Sequence, residues 1–214
     1  TLFLLPKPAQ GDAGAYAAAA AGLADFCERH GMAPMTTARS VNPYMVEGAK
    51  TIAYEIAAGI GAPDILFAPA GGGGLLGGLW KGFCELRALG LVDSAPALHA
   101  AQRQAYFVPI DALDDPAFNN PRYYRPLDGE WAWRAICDSG GRLAHVTDKE
   151  TRAAQGILAE EEGIFAEPHG AYAAAALIRA ADKDALDARA NIVCIVSGAG
   201  LKDMQAADEI VAAR

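Results

Sequence analysis

The stretch Ile65-Leu66-Phe67-Ala68-Pro69-Ala70-Gly71-Gly72-Gly73-Gly74-Leu75-Leu76-Gly77-Gly78 decides how this chain is read. Its apolar start is a buried strand, and residues 75–89 read as a helix. Glycine loses more backbone entropy on folding than any other residue, so four in a row are not there for stability. A tight turn without a ligand needs one or two. Without Cβ atoms, a bulky anion approaches the backbone N–H groups closely. The first turn of the next helix adds unpaired donors and the positive end of its dipole. Strand, glycine turn and helix together form a cradle for a phosphate.

Working outward, short apolar runs alternate with helical stretches. Strands are expected at residues 1–5, 65–68, 97–101, 142–146, 163–166 and 191–196. Helices are expected at residues 11–29, 44–58, 75–89, 131–138, 147–162, 170–181 and 203–213. Thr147 and Glu150 have the spacing of a capping box. Such alternation predicts an α/β fold, a doubly wound, mostly parallel sheet with helices on both faces. Ligands bind such sheets beyond the carboxyl ends of their strands. A second glycine turn, at Ser197, Gly198 and Gly200, follows the strand at 191–196, so both turns point to one shared site. Residues 103–128 hold Pro109, Pro116, Pro121 and Pro126 and read as an extended excursion. That excursion, with Tyr123, Tyr124, Trp131 and Trp133, is either a dimer contact or a self-packed surface loop.

The bulk properties narrow the function. The chain has 214 residues, enough for one substantial domain or two small ones, and is 52% hydrophobic. Its net charge of −8, with scattered Lys and Arg, argues against a nucleic-acid surface. No apolar run reaches membrane-spanning length and no basic leader is present. Cys27, Cys84, Cys137 and Cys194 stand far apart and read as isolated, buried thiols of a reducing cytoplasm. No His, Cys or acidic spacing suggests a metal site.

The glycine loop also fits the dinucleotide fingerprint through Gly72, Gly74 and Gly77. The acidic residue that a nicotinamide ribose wants is missing from the next strand, which ends Ala101-Gln102-Arg103. Arg103 keeps an NADP-type oxidoreductase open as an alternative. A P-loop fits poorly, because no Gly-Lys-Ser/Thr follows.

Four motifs carry a more specific resemblance. Asn42-Pro43-Tyr44-Met45-Val46-Glu47-Gly48-Ala49-Lys50-Thr51 resembles the N-P-Y-x-x-E-G-x-K-T stretch of threonine synthases. Residues 69–78 resemble their phosphate loop for pyridoxal 5′-phosphate. Gly163-Ile164-Phe165-Ala166-Glu167-Pro168-His169-Gly170-Ala171 is similar to their G-x-x-x-E-P-x-G-A segment, and Ser197-Gly198-Ala199-Gly200-Leu201-Lys202-Asp203 to their closing S/T-G-x-G-L-K-D motif. The wider group is the tryptophan-synthase-β-like (fold type II) pyridoxal-phosphate enzymes. The resemblance implies that Gly71, Gly72, Gly73, Gly74 and Leu75 bind the cofactor phosphate, and that Ser197 and Gly198 meet its ring, Ser197 through the pyridine nitrogen. Glu167 either lies near that ring or is a helix N-terminal carboxylate. His169 is the histidine nearest the site. Glu47 and Lys50 read as a structural pair, Lys202 as a brace for the last turn, and Tyr44 as core or site wall.

The resemblance further implies elimination or replacement at the β or γ carbon of an amino-acid substrate, with O-phosphohomoserine to threonine as the type reaction, in a homodimer. It breaks in one place. The family's Schiff-base lysine lies in an S-x-K-D-R-type motif ahead of the glycine loop. None of Lys7, Lys50, Lys81, Lys149, Lys183 and Lys202 has that context, so no catalytic residue is identified. The expected organisation is one α/β cofactor-binding domain over residues 1–214, without the lysine-bearing subdomain. A non-catalytic module binding a phosphate ligand or a partner is the other alternative.

Overall fold

The computed structural model describes residues 13–103, 127–183 and 185–212. The strand expected at 1–5 and nearly all of the excursion at 103–128 lie outside them.

Two helices come first, α1 (Ala13–Arg29) and α2 (Tyr44–Ile60). The sheet begins with β1 (Ile65–Pro69), followed by α3 (Gly74–Ala88), β2 (Ala97–Arg103), α4 (Gly129–Asp138) and β3 (Leu143–Val146). The chain then forms α5 (Asp148–Glu161), α6 (Pro168–Asp182), β4 (Ile192–Cys194), a 3-10 turn (Gly200–Lys202) and α7 (Met204–Ala212). The four strands are parallel and lie in the order β3-β2-β1-β4. β1 is central because its Leu66, Phe67 and Ala68 are apolar and bury on both faces.

Alternation along the strands divides the core. Leu66, Ala68, Leu98 and Ala100 point to one face, where they meet Ala53 of α2, Leu79 and Phe83 of α3, and Ile136 of α4. Phe67, Ala101 and Val146 point to the other face, against Ala154 of α5 and the Ala173, Ala174, Ala175 and Ala176 run of α6. Those alanines let α6 lie close to the sheet. The winding runs outward from β1 through β2 to β3, then returns to place β4 on the opposite side of β1. The order therefore reverses between β1 and β4, and such a reversal opens a crevice at the carboxyl edge.

Local chemistry explains most element ends. The capping box of α5 is complete: Thr147 Oγ1 accepts from Glu150 N at 3.2 Å, and Glu150 Oε2 accepts from Thr147 N at 2.7 Å. Three expectations need correction. Residues 163–166 form no strand; one antiparallel bridge joins Ala166 to Ala199, while Ile164 and Phe165 remain exposed. A four-residue segment turning directly into α6 has room for one rung only. Tyr44 is 82% exposed and is neither core nor site wall, because it opens α2 on the solvent side. Cys137 is exposed near the end of α4 rather than buried.

The pairing of Glu47 and Lys50 is a larger network. Lys50 Nζ lies 2.5 Å from Glu47 and 2.8 Å from Glu85, while Lys81 Nζ lies 2.9 Å from Glu47 and 2.5 Å from Glu85. Tyr54 donates its hydroxyl to Glu85 as well. The ammonium groups of Lys50 and Lys81 and the Tyr54 hydroxyl hold the Glu85 carboxyl down at about 2. This network bolts α2 to α3, so Lys81 is a structural cation and not a reserve for the glycine loop.

Candidate cofactor site

The two glycine turns come together at the crevice. Ala70 N donates to Ala101 O at 2.7 Å, which ends the ladder between β1 and β2. Ile195 N donates to Phe67 O at 2.8 Å, which ties the exit of β4 to β1. Beyond these bonds both chains leave the sheet on the same edge. Gly71, Gly72, Gly73, Gly74, Leu75 and Ser197 line one cavity of about 830 Å³, within the 300–1,000 Å³ usual for small-molecule sites.

The loop fits an anion. Among the described residues, none of the N–H groups of Gly71, Gly72, Gly73, Gly74 and Leu75 donates to a protein acceptor. Helix α3 has no side-chain cap at its start, so its first-turn donors are also free. Gly73 is left-handed, with φ +97°, and a Cβ there would stand 2.5 Å from the Asp128 carbonyl oxygen. Gly72 meets nothing within 4 Å of its missing Cβ and faces open space. The cradle is therefore rigid at Gly73 and open at Gly72. Pyridoxal 5′-phosphate suits these donors: its phosphate matches the bare amides of residues 71–75, and a neutral hydroxyl at Ser197 matches its ring nitrogen.

Asp128 is the residue that sequence reasoning missed. It is buried, and both carboxylate oxygens lie 3.0 Å from Arg39 N. Its own N–H donates to Gly72 O at 3.2 Å, which holds the loop from behind. Burial pushes its carboxyl up, against the pull of the Arg39 and Ser40 amides. No motif marks it; the only local signal is an acidic residue just ahead of a helix. The other wall is formed by Thr36, Thr37, Met45 and Val46 of the segment around α2, and it is largely apolar.

The remaining candidates divide. Gly198 lies behind the cavity: Glu167 N donates to Gly198 O at 2.9 Å, and a Cβ on Gly170 would stand 2.8 Å from that same oxygen. Glu167 occupies the N-cap position of α6 without capping it; its carboxylate pairs with Lys202 Nζ at 2.7 Å and covers Gly198. It borders a neighbouring cavity of about 490 Å³, lined also by Arg103, Arg152, Gln155 and Tyr172. Lys202 thus braces the last turn through Glu167. His169 is the wall common to both cavities. Burial lowers its affinity for a proton, against the opposing pull of the nearby Glu167 charge. Among the described residues no lysine lines the 830 Å³ cavity, and no group of His, Cys, Asp and Glu is placed to hold a metal ion. No described helix is long and apolar enough to cross a membrane.

A parallel doubly wound sheet whose two turns, at residues 71–75 and at Ser197, line one cavity at the switch point is the architecture of a cofactor-binding domain. Comparison with known proteins supplies the class: the family model for pyridoxal-phosphate dependent enzymes matches residues 8–198, and the chain belongs to that family. It is 39% identical over 175 residues to a threonine synthase of Synechocystis sp., covering 79% of this chain and 45% of that protein. It is 36% identical over 182 residues to a threonine synthase of Methanocaldococcus jannaschii, covering 78% and 45%. The chain thus spans a little under half the length of these relatives. Among solved structures, the processed form of threonine deaminase isoform 2 from Solanum lycopersicum superposes with a TM-score of 0.64 at 20% identity, over 88% of this chain and 54% of that one. That likeness concerns the fold.

Proposed function

We propose that this chain supplies the phosphate and ring contacts of a pyridoxal-phosphate lyase that eliminates and replaces a β or γ substituent of an amino acid, as a threonine synthase does. One observation carries the reading: free amides at residues 71–75 and the Ser197 hydroxyl line the same cavity. When bound, the cofactor provides an electron sink for the α-carbon of its amino-acid substrate. The chain's own residues bind and tune it. The amides of Gly71 to Leu75 hold the phosphate with the positive end of α3 behind them. Ser197 offers a neutral partner to the ring nitrogen and does not hold a proton there as a carboxylate would, which suits substitution at the β or γ carbon. The apolar wall at Met45 and Val46 keeps water from the reacting face.

In this reading O-phosphohomoserine is the substrate and threonine the product. The chain is the cofactor-binding domain of a longer enzyme, whose lysine comes from the part of its relatives that this chain does not match. The enzyme works in the cytoplasm as a homodimer, which light scattering of the natural protein tests. Adding pyridoxal 5′-phosphate to the intact natural protein should raise an absorbance band near the visible edge that borohydride traps covalently.

That no lysine among the described residues lines the cavity favours a second reading, a module that binds a phosphate ligand without catalysis. Binding without borohydride trapping selects it. The nicotinamide alternative keeps the glycine fingerprint but is weakened at Arg103, whose Nη2 pairs with Asp148 at 2.9 Å. NAD(P)H fluorescence unchanged on titration closes it.

A further inference from the structure

We infer that Asp128 is a positioning residue, which clamps the segment 34–42 against the glycine turn and so sets the wall on which the cofactor ring rests. This rests on the reading that the cofactor phosphate binds the amides of residues 71–75.

Asp128 stands at the N-cap position of α4, where an aspartate ordinarily turns its carboxylate back onto the first helical amides. Here the side chain makes no such cap, and only the carbonyl opens the helix, accepting from Ala132 N at 3.0 Å. Both carboxylate oxygens turn instead to Arg39 N, each at 3.0 Å. The helix thereby forgoes about 1 kcal/mol of capping, and the buried carboxylate is committed to another part of the fold.

The rest of the residue belongs to the turn. Asp128 N donates to Gly72 O at 3.2 Å, its carbonyl oxygen lies 2.5 Å from where a Gly73 Cβ would be, and Oδ2 lies 3.3 Å from the missing Cβ of Gly74. Thr37 O stands at the same 3.3 Å from that point. Turn, carboxylate and the 34–42 segment therefore meet at the bare Cα of Gly74.

That segment is bonded mainly to itself. Ala38 O accepts from Val41 N and Asn42 N, Thr36 Oγ1 accepts from Ala38 N, and Pro34 O accepts from the Asn42 side chain. Among the described residues, its hydrogen bonds to the turn or to α4 all run to Asp128. The Arg39 guanidinium lies over the Trp131 ring, 4.9 Å from its centroid, so the start of α4 holds Arg39 by main chain and side chain. Thr36, Thr37 and Ala38 line the same cavity as the glycine turn and Ser197. With the phosphate on the turn, the remainder of the cofactor lies against the other walls, this one among them. The carboxylate thus fixes how far that wall stands from the phosphate donors.

The test compares the intact natural protein with Asp128→Ala and Asp128→Asn. Both variants remove the charge, so their difference isolates the acceptor for Arg39 N. Each protein is stripped of cofactor and titrated with pyridoxine 5′-phosphate, which has ring and phosphate but no aldehyde, and separately with inorganic phosphate. Asp128→Ala should bind pyridoxine 5′-phosphate about fivefold to tenfold more weakly than Asp128→Asn, the scale of one hydrogen bond. Inorganic phosphate needs only the turn, and its affinity should differ by less than about twofold between the two variants. A merely structural role would weaken both ligands alike, and that result overturns the inference. Equal affinity of the two variants for pyridoxine 5′-phosphate overturns it as well, and either result leaves the cofactor assignment intact. A wild-type protein that binds no pyridoxine 5′-phosphate overturns the assignment and the inference with it. If Asp128→Ala does not fold, hydrogen exchange of the wild type decides. The Arg39 amide must exchange slowly, and more slowly again with pyridoxine 5′-phosphate bound; exchange at the rate of an open chain, or unmoved by the ligand, is fatal.

Discussion

The glycines between residues 71 and 82 do two different jobs. Those of the turn, Gly71 to Gly74, leave amides bare for a ligand. Those of α3, at positions 77, 78 and 82, leave room for protein. A Cβ on Gly77 would stand 2.2 Å from the Trp131 ring, one on Gly78 2.9 Å from the Ala49 Cβ, and one on Gly82 2.6 Å from the Lys50 carbonyl oxygen. The glycine fingerprint that reads as one motif is therefore half cradle and half helix seam. Removing either half should cost something different, stability in one case and affinity in the other.

Gly73→Ala tests the residue where both roles meet. Its backbone is left-handed and its missing Cβ would clash with the Asp128 carbonyl, so we expect about 3 kcal/mol of lost stability together with lost cofactor binding. Denaturant unfolding and a cofactor titration measure the two. Gly82→Ala should cost about 2 kcal/mol, because its obstruction is backbone of α2 and the gain in helix propensity offsets only part of it. In the folded fraction of Gly82→Ala, cofactor affinity should be unchanged, and a large loss there would blur the division. Gly72→Ala is the reverse case. Its missing Cβ meets nothing within 4 Å, so stability should stay within about 0.5 kcal/mol while affinity falls about tenfold. Wild-type affinity in this variant would mean that the open side of the loop is not where the phosphate docks. Ser197→Ala should cost about 1 kcal/mol of cofactor affinity and shift the bound absorbance band.

The smallest expected effect is on the helix seam. The Glu85 and Glu47 carboxyls are both held below their ordinary value by Lys50 and Lys81. A depressed carboxylate adds stability above its unfolded value of about 4.5, and that stability is lost as pH falls toward the folded value. Acid titration of the wild type should therefore show the α2–α3 seam loosening between about pH 4.5 and 2, the lower bound being the Glu85 value. Glu85→Gln should flatten that part of the curve.

What was legible in the chain was local. The apolar run at 65–68, the glycines and the capping box at Thr147 and Glu150 each announce themselves within a few residues, and the structure forms a strand, a turn and a capped helix there. The pairing of the two turns followed from alternation alone, since parallel strands put their exits on one edge. What was not legible was long-range. Asp128 meets Arg39 across 89 positions, and no periodicity encodes that contact. His169 was singled out for its neighbours in sequence, yet its ring packs on Gly71, which is far along the chain and close in space. Residues 163–166 were misread as a strand because β-rich residue types describe a half-buried surface, and only one rung of pairing partner exists there.

The charge network between α2 and α3 has one more consequence. With Lys50 and Lys81 committed to Glu47 and Glu85, and no Lys or Arg among the described residues lining the glycine cavity, an anion bound there would be held by dipoles instead of ions. Added electrolyte collapses the reach of an ammonium from about 10 Å at 0.1 M to about 3 Å at 1 M, yet hardly touches a hydrogen bond made at contact. A grip of this kind stays tight in brine that would strip a cofactor from a lysine-lined pocket.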